Sequence, residues 1–164
     1  NVMIDTKLKK VAEFLWKNNL TIATAESCTG GLLASRFTDI AGSSSYINES
    51  HVTYANSAKH KYLNVDNEIF EKYGAVSYEC AHAMAEGLKK LSNCDIAVCT
   101  TGIAGPGGES KEKHIGLIFV SVMYKEKITV KKYRLTPLFP RKFMKFMFTQ
   151  KAIATVYDVI KDSI

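Results

Sequence analysis

A short charge-free run, Leu20-Thr21-Ile22-Ala23-Thr24-Ala25, gives way across Glu26-Ser27-Cys28-Thr29-Gly30-Gly31 to a run of helical composition, Leu32-Leu33-Ala34-Ser35-Arg36-Phe37. This switch from strand to helix across a tight turn is the strongest constraint on the fold, because a strand with no polar face must be covered on both sides. A second such run, residues 95–101, leads into Gly102-Ile103-Ala104-Gly105-Pro106-Gly107-Gly108.

The segments around these two strands alternate with them. Residues 5–19 place Leu8, Val11, Ala12 and Leu15 at helical spacing behind an Asp5 N-cap. Residues 46–54 are rich in aromatic and β-branched side chains and read as a strand, after a Gly42-Ser43-Ser44-Ser45 loop. A short helix is predicted over 67–72, and a longer one from a Ser77 N-cap through Ala81, Met84, Ala85 and Leu88 to Leu91. Residues 115–124 and 128–135, joined by Lys125-Glu126-Lys127, form a predicted β-hairpin, and a last helix starts near Pro140 and carries Phe143, Phe146, Met147, Ile153, Val156 and Ile160. Alternation followed by a hairpin predicts an α/β fold, a three-layer αβα sandwich with a mixed β-sheet.

With 164 residues, 46% of them hydrophobic, the chain has material for one core, so residues 1–164 are read as one domain. Lys and Arg exceed Asp and Glu by 22 − 16 = +6, an excess that suits an anionic ligand. Nucleic acid is not the expected partner, because the lysines are dispersed and no aromatic-basic motif accompanies them. Cys28, Cys80, Cys94 and Cys99 show neither a Cys-x-x-Cys pair nor zinc-site spacing with histidine, so reduced thiols and no metal site are expected. No run has the roughly 18 apolar residues of a membrane span, and Asn1-Val2-Met3-Ile4-Asp5 is not a charged-then-apolar leader. A cytoplasmic location without membrane partners is the expectation.

Ser27 follows a buried strand and precedes a helix, where unpaired N–H groups can face negative charge. A hydroxyl there is placed to attack a carbonyl, although helix capping is the commoner use of such a serine. Attack requires a base, and a desolvated lysine can serve. Lys59, beyond the second predicted strand, can return to the same sheet edge. Tyr54 can relay the proton or bind substrate. In isolation such a lysine is usually a solvated charge and such a tyrosine a core-edge residue. The glycine loop can bring backbone N–H groups close to a phosphate or oxyanion, but lacks the Gly-Lys-Ser/Thr of a Walker loop. Arg141 and Lys145 fall four apart at the start of the last helix, on one face, where an anion would relieve their opposition to the macrodipole. A Cys28 nucleophile with a His51 base is the alternative reading.

Taken together, Ala25-Glu26-Ser27-Cys28-Thr29-Gly30-Gly31, Tyr54-Ala55-Asn56-Ser57-Ala58-Lys59, Gly74-Ala75-Val76-Ser77 and Thr101-Gly102-Ile103-Ala104-Gly105-Pro106-Gly107-Gly108 closely resemble the C-terminal domain of the CinA family, the nicotinamide-nucleotide amidases. The resemblance runs in order from about Leu8 into the last helix. It implies hydrolysis of nicotinamide mononucleotide to nicotinate mononucleotide and ammonia, with Ser27 as nucleophile, Lys59 as general base, Tyr54 as proton relay or orienting hydroxyl and Arg141 on the substrate phosphate. Thr29, Gly30, Thr101, Gly102, Gly105 and Gly107 are expected to line the pyridine nucleotide, and a homo-oligomer is expected by the same analogy. Two departures stand out. Glu49-Ser50 replace a family Gly-Gly, and Lys113-His114-Ile115-Gly116-Leu117 stand where the family has Lys-Pro-Val-Gly-Thr. A carboxylate in place of glycine is expected to narrow or recharge the pocket, which keeps a nucleotide-binding module without hydrolysis as the rival expectation.

Overall fold

The computed structural model describes residues 5–164; the expectation drawn from Asn1 to Ile4 lies outside the described residues. In chain order the elements are α1 (Thr6–Lys17), β1 (Ile22–Glu26), α2 (Leu32–Thr38), β2 (Ile47–Val52), α3 (Asn56–Leu63), α4 (Asn67–Tyr73), α5 (Tyr78–Ser92), β3 (Ile96–Gly102), β4 (Leu117–Tyr124), β5 (Lys127–Arg134) and α6 (Arg141–Ile160). The strands form one sheet in the order β2-β1-β3-β4-β5. β1 runs parallel to both β2 and β3, whereas β3–β4 and β4–β5 are antiparallel. The sheet is mixed, as the alternation followed by a hairpin requires.

Both faces are covered, which is why β1 is buried at every position and β3 at every position but Gly102. Ile22, Ile96 and Val98 pack with Leu8, Val11 and Leu15 of α1, Leu33 and Phe37 of α2, and Met144, Phe148, Ile153 and Val156 of α6. Ala23, Ala25, Ala97 and Cys99 point the other way, against Leu63 of α3 and Cys80, Met84, Ala85 and Leu88 of α5. The small residues on that face let α5 lie close to the sheet. The three-layer αβα reading therefore holds. Asp5 and Ser77 cap α1 and α5 through side-chain oxygens that accept from Lys7 N and Cys80 N, the expected use of such residues.

Three local differences have physical causes. β1 extends to Glu26, so a carboxylate belongs to the buried strand and not to the turn. The hairpin connection is two residues long, since Tyr124 pairs with Lys127. Lys125 and Glu126 sit at φ 52° and 64°, the positive values that a two-residue turn demands and that usually select Asn or Gly. The third difference matters most for the site: α3 was not expected at all. Its inward residues are Lys59 and Leu63, and a reading that assigns every lysine to solvent sees only one apolar position in this helix. On α6, Ile153, Val156 and Ile160 are buried and Phe143 and Phe146 are exposed.

α3 is held by an unusually close approach to α5. A Cβ on Gly87 would lie 1.8 Å from the Leu63 carbonyl oxygen, so only glycine permits the crossing. Gly87→Ala should therefore lower stability by about 2 kcal/mol or more from overpacking, although alanine in a helix interior normally gains about 1 kcal/mol over glycine. Urea unfolding monitored by circular dichroism reads the sign directly, and a stabilised variant would contradict the packing described.

Candidate active site

Because β1, β2 and β3 are mutually parallel, their carboxyl ends meet at one edge of the sheet, the usual place for a site in such folds. The Ser27 N–H donates to the Thr100 carbonyl at 3.1 Å, and the Thr53 N–H donates to the Glu26 carbonyl at 2.9 Å. The ends of the three strands are thus stitched together, with Ser27 between β3 and the loop that follows β2.

α3 begins immediately after that loop and delivers Lys59. Its Nζ donates to Ser27 Oγ at 2.9 Å and to the Tyr54 carbonyl at 2.8 Å. Lys59 is 1% exposed and Ser27 9%. Burial pushes the Lys59 pKa down, opposed by the neighbouring Cys80 and Cys28 thiols; withdrawing an ammonium from water favours its neutral form. An amine with a depressed pKa in contact with an alcohol is the arrangement a Ser/Lys nucleophile needs.

Tyr54 meets this pair through its backbone. The carbonyl accepts from Lys59 and lies 3.4 Å from Ser27 Oγ, whereas the phenol hydroxyl accepts from Arg141 Nη2 at 3.0 Å. The hydroxyl therefore sits with Arg141, the geometry of an orienting group and not of a relay between Lys59 and Ser27. Arg141 Nη1 also donates to the Gly105 carbonyl at 2.6 Å, tying α6 to the glycine loop. One turn on, Lys145 Nζ lies over Gly30, 3.5 Å from where a Cβ would be. Lys145 forms no salt bridge among the described residues, so its charge is available beside the Ser27 turn.

The expected role of the α2 amides needs correction. The Gly31, Leu33 and Ala34 N–H groups donate to the Glu26 carboxylate at 3.2, 2.8 and 3.0 Å. Those donors, expected to face a substrate oxyanion, are already engaged. The Thr29 hydroxyl donates to Glu26 Oε1 at 2.6 Å, so this side chain belongs to the same buried network. The Gly30 N–H turns back to Ser27 O. Among the described residues, the amides of Cys28 and Thr29 are the ones beside Ser27 that meet no backbone carbonyl or carboxylate.

Other expected ligand groups divide. The Thr101 hydroxyl donates to the Ala75 carbonyl at 2.8 Å, which ties β3 to the turn before α5. Gly102 is glycine because a Cβ would meet the Leu117 carbonyl at 2.7 Å, whereas Gly105 stands at φ 78° and a Cβ there would also meet Ile115 at 2.7 Å. Packing and backbone conformation account for these two, while Gly107 faces open space. The Cys28/His51 alternative gains no support from the geometry. The Cys28 thiol is buried and pushed up to about 12, and His51 is bound at 2.9 Å to Glu49 on the outer strand. Glu49 and Ser50 are exposed on β2, an edge strand, so they do not intrude between Ser27 and Lys59. A cleft of about 470 Å³ near α4 and α5, lined by Ile69, Tyr73, Tyr78 and His82, contains none of these groups. The chemistry, and not the cavity size, locates the site. Sequence reasoning missed Glu26 as a functional-site residue; its signal was a charged side chain ending an otherwise apolar strand.

The sequence model of the CinA C-terminal domain matches residues 5–160. A CinA-like protein of Chlorobium phaeobacteroides is 47% identical over 155 residues, covering 93% of this chain and 37% of the relative. A putative competence-damage inducible protein of Thermoanaerobacter sp. (strain X514) is 49% identical over 126 residues, covering 77% and 30%. The chain thus spans about a third of the length of the curated relatives it matches. Among solved structures, the competence/damage inducible protein CihA from Agrobacterium tumefaciens superposes with a TM-score of 0.86 at 34% identity, over 95% of this chain and 97% of that one. A CinA superfamily protein from Klebsiella pneumoniae gives 0.89 at 27% identity, over 95% and 96%.

A buried ammonium carries a stability cost that titrates. The folded-state pKa of Lys59 lies below its unfolded value, so the unfolded chain binds more protons between the two, and the cost is full below the folded pKa and relieved as pH rises toward the unfolded one. Lys59→Met should therefore unfold at a higher temperature than the parent at neutral pH, with the gain shrinking in alkali. Thermal melts of both proteins across pH 6 to roughly 10.5, the ordinary lysine range, check the sign. A gain that grows with pH would contradict it.

Proposed function

The chain belongs to the CinA C-terminal domain family, and from that footing we propose that it is an amidohydrolase converting nicotinamide mononucleotide to nicotinate mononucleotide and ammonia. The observation that carries the reading is the 2.9 Å contact between Lys59 Nζ and Ser27 Oγ, with both groups withdrawn from water. In its neutral form Lys59 takes the Ser27 proton, and Oγ adds to the carboxamide carbon. The tetrahedral oxygen is received by the Cys28 and Thr29 amides, the donors at this turn not already engaged. Collapse breaks the C–N bond, and the Lys59 ammonium returns its proton to the departing amide nitrogen, which leaves as ammonia. Water, deprotonated by the same amine, then cleaves the acyl-enzyme, releasing the carboxylate and restoring the Ser27 hydroxyl.

Arg141 and Lys145 supply positive charge at the site mouth for the substrate phosphate. Tyr54 holds the Arg141 guanidinium in place through its hydroxyl. No step calls on a metal or organic cofactor.

Ammonia release from nicotinamide mononucleotide, followed with product identification, tests the reading. Ser27→Ala and Lys59→Met should each reduce turnover by about 10³-fold or more, the scale of losing an activated nucleophile or its base, while Cys28→Ala keeps turnover within a few-fold. For the parent, kcat should rise with pH as Lys59 loses its proton. Lys145→Met should raise KM more than it lowers kcat. Equal turnover by Ser27→Ala and parent removes the proposed nucleophile, and tight nucleotide binding without deamidation by the parent replaces the reading with a binding module.

A further inference from the structure

The Ser27 turn contains two glycines at positive φ, Gly30 at 59° and Gly31 at 100°, so the turn's own backbone offers little resistance to rearrangement. Backbone bonds from Ser27 to Thr100 and from Gly30 to Ser27 hold its first half, and one side chain, that of Glu26, ties it to the start of α2. The Glu26 side chain is wholly buried and accepts five hydrogen bonds: Oε1 from Thr29 Oγ1 and the Gly31 and Leu33 amides, Oε2 from Thr24 Oγ1 and the Ala34 amide. Its carbonyl accepts from the Thr53 N–H, which precedes Tyr54, whose own carbonyl holds Lys59. One residue therefore grips the start of α2 with its side chain and the loop leading to the base with its backbone, and Ser27 is its immediate neighbour.

The five donors leave no place for a proton donor on the acceptor. A carboxylate supplies acceptor oxygens on both sides; a carboxamide presents an NH₂ on one of them. Whichever way glutamine turns, at least one α2 amide then faces an N–H, an unmade bond at a fully buried position. Thr24 can rotate to accept, but the Ala34, Leu33 and Gly31 amides cannot. Relief requires the first turn of α2 to move, and the two glycines pass that movement to Ser27.

We propose that Glu26, through the five hydrogen bonds its side chain accepts, is the positioning residue that holds Ser27 Oγ within reach of Lys59 Nζ. It touches neither substrate nor the reacting atoms, and it acts through the turn. The inference rests on the amidase reading only where turnover is the readout.

Glu26→Gln tests it, compared with the parent by steady-state kinetics on nicotinamide mononucleotide and by crystal structure. The expected result is a kcat lowered by 10-fold to 100-fold with KM within about 2-fold, because Arg141 and Lys145 stand on α6 and do not depend on Glu26. The Lys59–Ser27 separation should open beyond about 3.5 Å, outside hydrogen-bonding range. If that variant does not fold, Thr24→Val removes one of the five bonds at near-constant volume and should lower kcat by several-fold in the same pattern. Unchanged kcat in a folded Glu26→Gln protein, or a 2.9 Å Lys59–Ser27 contact preserved in its structure, would falsify the proposal. A loss confined to KM, or to thermal stability with turnover intact, also overturns it. Absence of Ser27-dependent ammonia release in the parent sinks the amidase reading instead, and the crystallographic distance then decides the role of Glu26 by itself.

Discussion

A lysine ammonium sealed from solvent has to find its acceptors inside the protein, and Lys59 finds two: the hydroxyl of Ser27 and the carbonyl of Tyr54. Much of the architecture around the sheet edge follows from bringing it there. Hydration given up by an ammonium is replaced only in part by two hydrogen bonds, so the neutral amine gains relative to the charged one. The same burial that makes the position costly for stability is what favours the neutral amine, the form able to accept a proton. α3, which carries it, is short and has little amphipathic character of its own. It owes its position to the close crossing with α5 at Gly87 and to Leu63 in the core.

The second constraint is electrostatic and lies on the opposite face of β1. The start of α2 has the unpaired amides that any helix N-terminus has, and the chain meets that need with its own Glu26 carboxylate in place of a ligand. A site seen from sequence as an anion-binding helix start is thus internally neutralised. Positive charge beside the Ser27 turn is found instead on α6, where Arg141 is braced by Gly105 and Tyr54 and Lys145 reaches over Gly30. Glycines 102 and 105, which look like ligand-cradling positions, are small because β4 and Ile115 press on them. Packing and binding impose the same residue type, and only contact distances separate them.

What was legible depended on whether burial and residue type agree. α1 and α5 were readable because their inward faces are apolar at helical spacing and their caps are Asp5 and Ser77. β1 and β3 were readable because both faces are covered. α3 was not, since its most buried side chain is a lysine. Tyr54 was found by its motif, but its contact with the reactive pair is through a carbonyl, a group every residue has and no sequence pattern marks. Glu26 stands within a motif and ends an otherwise apolar run, but a glutamate beside a turn is ordinarily solvated, so its burial is not legible from its neighbours.

Local patterning and motif order by themselves determined the layer architecture, the strand-to-helix switch at Ser27 and the family, since periodicity and turn chemistry act over a few residues. Tertiary structure alone decided that Lys59 is buried against Ser27, that Glu26 and not a ligand satisfies α2, and that the hydroxyl of Tyr54 serves Arg141. Each of these depends on which groups lose water together, a property of residues 5 to 87 positions apart that meet only when the sheet is assembled.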